Sequence, residues 1–225
     1  MSNSQVEKKL AAEKAVSFLK DGMVVGLGTG NTAEYAIKAI GELVKKNGLR
    51  IKGIPTSENS KKLAETLGIP LTDFSKDTSI DITIDGADEF DPYLRLIKGG
   101  GGALLREKIV ASATKKNIVI VDASKKVNRL GKFLLPVEII PFAKELIIKK
   151  LEELGLSPKI RMDKDRPFLT DENNLIIDLN IIQQRNLEYL EKRLKSIPGI
   201  VETGLFLSTT GMVIMGEGNE VKTFE

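Results

Sequence analysis

The sequence predicts an α/β fold: a mostly parallel, Rossmann-like sheet flanked by helices, with a smaller ferredoxin-like α+β domain. Three observations carry this expectation. Through the first half, apolar runs of strand length alternate with helical periodicity, the pattern of a parallel sheet covered on both faces. From about residue 133 the rhythm changes to strand, helix, strand, strand, helix, strand. The chain has 225 residues, 41% hydrophobic and 29% charged, a globular balance with enough length to bury a substantial core.

Each element follows from local pattern. Val6, Leu10, Ala11, Val16 and Leu19 recur near helical spacing over residues 5–20, and Asp21-Gly22 ends that helix. Residues 23–27 read as a short buried strand, followed by a glycine-rich turn and a helix over 32–46. Strands are expected at 49–54, 69–72, 80–84 and 117–122, with helices at 57–67 and 104–115. In the second half, strands fall at 134–140, 158–162, 175–180 and 201–207, and helices at 142–154 and 186–196. The small domain is therefore placed at 133–207, and the larger one at 1–132 and 208–225. Residues 212–215 and 221–224 are expected to return to the first sheet.

Composition excludes several chemistries. The chain contains no Cys and no His. Thiolate nucleophiles, thiolate metal sites and His-based triads are absent, so acid–base work falls to Asp, Glu, Lys or Tyr. His, the commonest transition-metal ligand, is missing as well. The net charge of +3 is spread along the chain and aromatics make up only 5%, which argues against a nucleic-acid partner. No apolar run reaches the ~20 residues that cross a bilayer, and the polar, amphipathic start lacks a signal-peptide core. A cytoplasmic location, away from membranes, is the expectation.

Three segments could carry chemistry. The first, Gly26-Leu27-Gly28-Thr29-Gly30-Asn31-Thr32, joins a strand to a helix. Glycines let backbone approach an anion, the helix start offers free N–H groups, and Thr29, Asn31 and Thr32 add donors. A dinucleotide fingerprint fits poorly, because Asn31 stands where its third glycine belongs, and no Gly-Lys-Ser/Thr follows for a nucleotide P-loop. Phosphate on a small molecule is one reading; an ordinary capped turn is the other.

The second segment, Asp85-Gly86-Ala87-Asp88-Glu89-Phe90-Asp91, places several carboxylates at the end of an apolar strand, where α/β sheets bind ligands. Crowded carboxylates raise at least one pKa toward the range useful for proton transfer. The spacing does not supply a calcium loop, and an acidic surface turn is the alternative. The third segment is Lys98-Gly99-Gly100-Gly101-Gly102 leading into Ala103-Leu104-Leu105-Arg106-Glu107-Lys108. Four consecutive glycines running into a helix make a nest of N–H donors for an anion or oxyanion. Glu107 falls early in that helix, while Arg106 and Lys108 point elsewhere. A flexible loop before a solvated helix is the competing reading. Lys125, past the strand end at Asp122-Ala123-Ser124, could pair with phosphate or simply be solvated, and Lys8 is a weaker candidate of the same kind.

Taken together, GLGTGNT (26–32), DGADE (85–89), KGGGG…REK (98–108) and DASK (122–125), in this order, resemble the ribose-5-phosphate isomerases of type A. The segments KFLLPVEIIPFA (132–143), IPGIVETGLF (197–206) and VKT (221–223) extend the resemblance over essentially the whole chain. One departure is Asn31, where the family's phosphate loop usually has Ser. The resemblance implies a cofactor-free aldose–ketose isomerase that interconverts D-ribose 5-phosphate and D-ribulose 5-phosphate in the non-oxidative pentose phosphate pathway. It implies an enediol or enediolate route with Glu107 as proton acceptor. Thr29, Gly30, Asn31 and Thr32 would hold the substrate, Asp85, Gly86, Ala87 and Asp88 would contact the sugar, and Lys98, Gly99, Gly100, Gly101 and Lys125 would complete the contacts. Asp85, Asp88 and Lys98 would share in catalysis. It also implies a homodimer or homotetramer. The same fold family includes CoA transferases and phosphosugar-sensing regulators, which are the rival readings.

Overall fold

The computed structural model describes residues 2–225. Its first elements are α1 (Asn3–Val16), β1 (Val24–Leu27), α2 (Asn31–Asn47), β2 (Lys52–Pro55), α3 (Glu58–Thr66) and β3 (Ile80–Gly86). Next come β4 (Glu89–Phe90), β5 (Leu96–Ile97), α4 (Leu104–Ser112), β6 (Thr114–Asp122) and a 3-10 turn at Ala123–Lys125. These are followed by β7 (Leu135–Ile139), α5 (Lys144–Glu153), β8 (Lys159–Ile160), β9 (Met162–Asp163), β10 (Arg166–Pro167) and β11 (Leu175–Leu179). The chain ends with α6 (Leu187–Lys195), β12 (Ile200–Thr203), β13 (Leu205–Phe206), β14 (Met212–Glu217) and β15 (Glu220–Phe224). Two compact units result. Met1–Ala87, Arg106–Lys126 and Ser208–Glu225 form one; Asp88–Leu105 and Val127–Leu207 form the other.

In the first unit a six-stranded sheet runs β15-β14-β6-β3-β1-β2. All its pairs are parallel except β14–β15, an antiparallel hairpin at the edge. Ile118, Val119, Ile120 and Val121 of β6 are all buried, as expected of a strand covered on both faces. Ala11, Ala15 and Val16 of α1 join Ala36, Ile37 and Ile40 of α2 in the core that includes Val25, Ile84 and Ile120. Each such fully buried Ile or Val contributes about 1.5–3 kcal/mol. Val110 of α4 packs with Ile54 and Ile80 in a separate cluster. The predicted α/β class and mostly parallel sheet are present, and the chain's last segments do form β14 and β15.

Three local departures have physical causes. The helix expected over 104–115 stops at Ser112, because β6 starts pairing with β3 at Thr114, opposite Ile80. The strand expected at 69–72 shrinks to a single parallel bridge between Gly53 and Leu71; Pro70 has no N–H for a ladder. The short strands β4 and β5 were not expected, and they form around a turn locked by Asp91. That carboxylate accepts from the Tyr93 and Arg95 amides, each at 3.0 Å, and pairs with the Arg95 guanidinium at 2.7 Å.

In the second unit the sheet order is β12-β7-β11-β8, all antiparallel. With α5 and α6 as the crossovers, this is the ferredoxin-like order expected for that part of the chain. Val137, Ile147, Leu151, Ile177, Leu190 and Leu194 build its core. Glu138 of β7 lies inside, only 1% exposed. Burial pushes its carboxyl above the ordinary range. Asn174 and Thr170, each donating to Oε1 at 2.9 Å, pull the other way, and Glu172 and Asp171 add to the rise. A raised folded-state pKa means the group's stabilising contribution is intact below the unfolded value of about 4.3 and is lost as pH rises through the folded value. Glu138→Gln, which cannot ionise, is therefore expected to be more stable than the parent at pH 8, with the gap closing by pH 4 in chemical denaturation. A gap that is constant across that range would contradict the raised pKa.

Candidate active site

The first unit gathers its candidates at the carboxyl ends of parallel strands. Asp85, the penultimate residue of β3, is 5% exposed, and its Oδ1 accepts from the Thr29 amide at 2.9 Å and from the Gly86 amide at 2.7 Å. Gly30 precedes α2 with φ +95°, a backbone that favours glycine, and Asn31 opens the helix. Asn31 is exposed and Thr32 half-buried at the start of α2. A Cβ placed on Gly86 would lie 3.8 Å from the Thr32 Cβ and 3.9 Å from the Thr29 carbonyl. Loop 29–32 and the end of β3 thus face each other.

Beneath Thr29 lies a set of hydroxyls that sequence reasoning missed. Thr29 Oγ1 is 2.6 Å from Thr56 Oγ1, 2.9 Å from Ser57 Oγ and 3.3 Å from Ser60 Oγ. Ser60 Oγ donates to the Gly28 carbonyl at 2.6 Å, and Thr56 Oγ1 donates to the Leu27 carbonyl at 3.1 Å. Thr56, Ser57 and Ser60 are buried at the turn between β2 and α3, where Ser57 caps the helix by accepting from the Ser60 amide. The available signal was position: this turn follows the strand beside β1, at the same sheet edge.

Glu107 sits in the first turn of α4 and is 5% exposed. Its neighbour Arg106 pairs with Glu58, with 2.8 Å between Nη1 and Oε1. Lys125 ends the 3-10 turn after β6 and is half-buried. Beside it Asp122 is 2% exposed and lies 3.6 Å from Lys8. Burial pushes the Asp122 carboxyl up, but the Ser124 hydroxyl and amide, then Lys8 and Lys125, hold it below the ordinary range on balance. The two lysines thus share one carboxylate's field.

The second unit holds the remaining candidates. Asp88 Oδ2 accepts from the Gly100 amide at 2.7 Å. A Cβ on Gly100 would come within 2.5 Å of Asp88 Oδ1, so a larger residue there would have to displace the Asp88 carboxylate. Lys98 is 4% exposed, its amide donates to the Gly204 carbonyl at 2.9 Å, and its Nζ stands 5.5 Å from the centre of the Phe206 ring. Gly99 is buried with φ +101°, while Gly100 and Gly101 are exposed. The rest of the acidic segment does structural work. Glu89, 3% exposed, accepts from the Gly131 and Phe133 amides at 2.8 and 2.6 Å. Asp91 locks its turn as described above. The expected crowd of carboxylates thus divides into Asp85 and Asp88 on one hand and two internal fasteners on the other.

Among the described residues, no group of three or more Asp or Glu is arranged to hold a metal ion, and no helix is long and apolar enough to cross a membrane.

The family model for ribose 5-phosphate isomerase A (phosphoriboisomerase A) matches residues 52–220. Ribose-5-phosphate isomerase A 1 of Oceanobacillus iheyensis is 46% identical over 98% of this chain and 99% of its own length. The solved ribose 5-phosphate isomerase A of Methanocaldococcus jannaschii is 42% identical, with a TM-score of 0.92 over 97% of each chain. A D-ribose-5-phosphate isomerase solved with phospho-erythronic acid is 41% identical, with a TM-score of 0.94 over 97% of each chain. With three-quarters of its length matched by the model and near-complete coverage by relatives, the chain belongs to the ribose 5-phosphate isomerase A family.

Proposed function

We propose that this enzyme interconverts D-ribose 5-phosphate and D-ribulose 5-phosphate through a cis-enediol or enediolate, with Glu107 as the base, in the non-oxidative pentose phosphate pathway. The observation that carries the reading is the buried carboxylate of Glu107 at the start of α4, in a chain that has no His or Cys to do the work. Moving a proton from C2 to C1 needs one group that removes it and returns it. A side-chain carboxylate held in place can do both, as a general base and then as its conjugate acid.

Thr29, Gly30, Asn31 and Thr32 hold the phosphate: amides at the start of α2 and nearby hydroxyls suit an anion, and Asn31 still supplies a donor. Phosphate held away from the reacting carbons provides the positioning that proton transfer requires. Lys125 adds a positive charge for the substrate. Asp85, with Gly86 and Ala87, contacts the sugar, and one oxygen of Asp85 is already committed to two amides. Asp88, Lys98 and Gly99–Gly101 contribute the remaining substrate contacts, Lys98 as the positive charge for a developing oxyanion. Asp85 or Asp88 shuttles the hydroxyl proton or opens the sugar ring. The working assembly is a homodimer or homotetramer, and the location cytoplasmic.

The hydroxyl set under Thr29 yields a prediction for this reading. Ser60→Ala removes the bond to Gly28 and one neighbour of Thr29 Oγ1. The expected result is a KM for ribose 5-phosphate raised about three- to tenfold with kcat nearly unchanged; an unaltered KM would free the loop from this support.

A direct assay tests the function itself. Chelator-treated protein is mixed with ribose 5-phosphate and ketose formation is followed. Turnover supports the isomerase. Saturable binding without turnover would mark a phosphosugar sensor, and a covalent thioester with an acyl-CoA would mark a transferase.

A further inference from the structure

The glycine loop is tied by its carbonyls: within the loop the Gly102 amide donates to the Gly99 carbonyl at 3.0 Å, and a second tie comes from beside the four-stranded sheet. Arg161, which follows β8, lays its guanidinium against Asp178 of β11: Nε donates to Oδ2 at 3.0 Å and Nη2 bonds Oδ1. The third nitrogen, Nη1, donates to the Gly99 carbonyl at 2.7 Å and to the Gly100 carbonyl at 3.1 Å. The backbone of Arg161 is fixed as well, its amide donating to the Ile176 carbonyl at 2.8 Å and its carbonyl accepting from the Phe168 amide at 2.9 Å. The side chain is 15% exposed. A planar fork gripping a carboxylate on one edge has little freedom on the other.

The consequence for the loop follows from peptide geometry. In a trans peptide the C=O and the N–H point to opposite sides. Drawing the Gly99 carbonyl to Arg161 sends the Gly100 N–H the other way, where Asp88 Oδ2 accepts it at 2.7 Å. Drawing the Gly100 carbonyl to the same guanidinium turns the next N–H, that of Gly101, away from Arg161 too. Gly101 is an exposed residue, and by the same peptide geometry its N–H is directed as that of Gly100 is, away from the guanidinium. Successive N–H groups aimed one way are what an anion nest consists of.

We propose that Arg161, braced by Asp178, is a positioning residue that holds the Gly101 N–H as a hydrogen-bond donor to the substrate oxygen on which negative charge develops. The inference rests on the isomerase reading and adds to it a residue on β8's far side of the loop, where no sequence motif pointed. Arg161 touches no substrate; it acts through the two carbonyls.

The test compares the parent with Arg161→Met and Arg161→Lys, reading kcat, inhibition by inorganic phosphate, and melting. Arg161→Met is expected to lower kcat about tenfold or more, since loss of one oxyanion donor costs about 10²–10³, with phosphate inhibition changed less than about twofold. Arg161→Lys keeps a charge beside Asp178 but cannot hold both carbonyls, so it too should lose activity. A variant that stays folded and turns over at the parent rate overturns the proposal, as does a loss of phosphate affinity in step with kcat. Should both variants unfold, the unmutated protein decides: the Gly101 amide proton should shift downfield in NMR when phospho-erythronic acid is added, and an unmoved resonance overturns the proposal. A parent that does not isomerise ribose 5-phosphate defeats the isomerase reading rather than the role of Arg161.

Discussion

Glu107→Gln is expected to fold as the parent does and to lose about a thousandfold in kcat. The substitution preserves size at a site only 5% exposed, so packing in the first turn of α4 is retained. What disappears is the ability to take a proton, and a positioned general base is worth about 10²–10⁴ in rate. Inhibition by inorganic phosphate should hardly change, because the amides and hydroxyls proposed to hold it lie in loop 29–32. Turnover near the parent rate would remove Glu107 from the base role. Parallel loss of phosphate inhibition and melting temperature would instead make it a structural residue.

Gly28→Ala is expected to damage both stability and substrate binding. A Cβ there would stand 2.5 Å from the Asp85 Cα and 2.5 Å from its Cγ, closer than non-bonded carbons approach. The Asp85 backbone belongs to β3, where it sits opposite Val119 of β6 and directly follows Ile84, which pairs with Leu27 of β1 and Ile118 of β6, so it has little room to yield. The Gly28 amide and carbonyl are committed too, to the Ile84 carbonyl at 3.0 Å and the Ser60 hydroxyl at 2.6 Å. Overpacking of this kind costs about 3 kcal/mol, readable as a lower denaturation midpoint. Because Asp85 Oδ1 fixes the Thr29 amide, the KM for ribose 5-phosphate should rise as well. The contrast is Gly86→Ala, whose added Cβ meets nothing closer than 3.8 Å and whose stability should stay within about 1 kcal/mol of the parent. A Gly28→Ala protein as stable as Gly86→Ala would mean the strand end is far softer than its pairing implies.

What could be read in advance was whatever repeats or clusters along the chain. The parallel sheet is legible because buried strands such as residues 118–121 are unbroken apolar runs between amphipathic helices. The ferredoxin-like part is legible from element order. Loop 26–32 and the four glycines announce themselves because glycine in such numbers needs a reason. Lost from view were relationships between distant residues. Glu89 and Asp91 share an acidic cluster with Asp85 and Asp88, yet each turns into the protein to bind amides; adjacency along the chain says nothing of which way a carboxylate faces. Thr56, Ser57 and Ser60 look like an ordinary helix cap until the sheet sets β2 beside β1. Arg161 and the carbonyls of Gly99 and Gly100 are some sixty positions apart, and a side chain bonding to backbone oxygens leaves no pattern in residue types.

The measurement that bears most directly on the central claim is the conversion of ribose 5-phosphate in D2O, with the ketose recovered early and analysed by NMR. An enediol route exposes the migrating proton to exchange on the carboxylate, so the account predicts ribulose 5-phosphate carrying solvent deuterium at C1. Ketose free of deuterium, or no ketose at all, would contradict it.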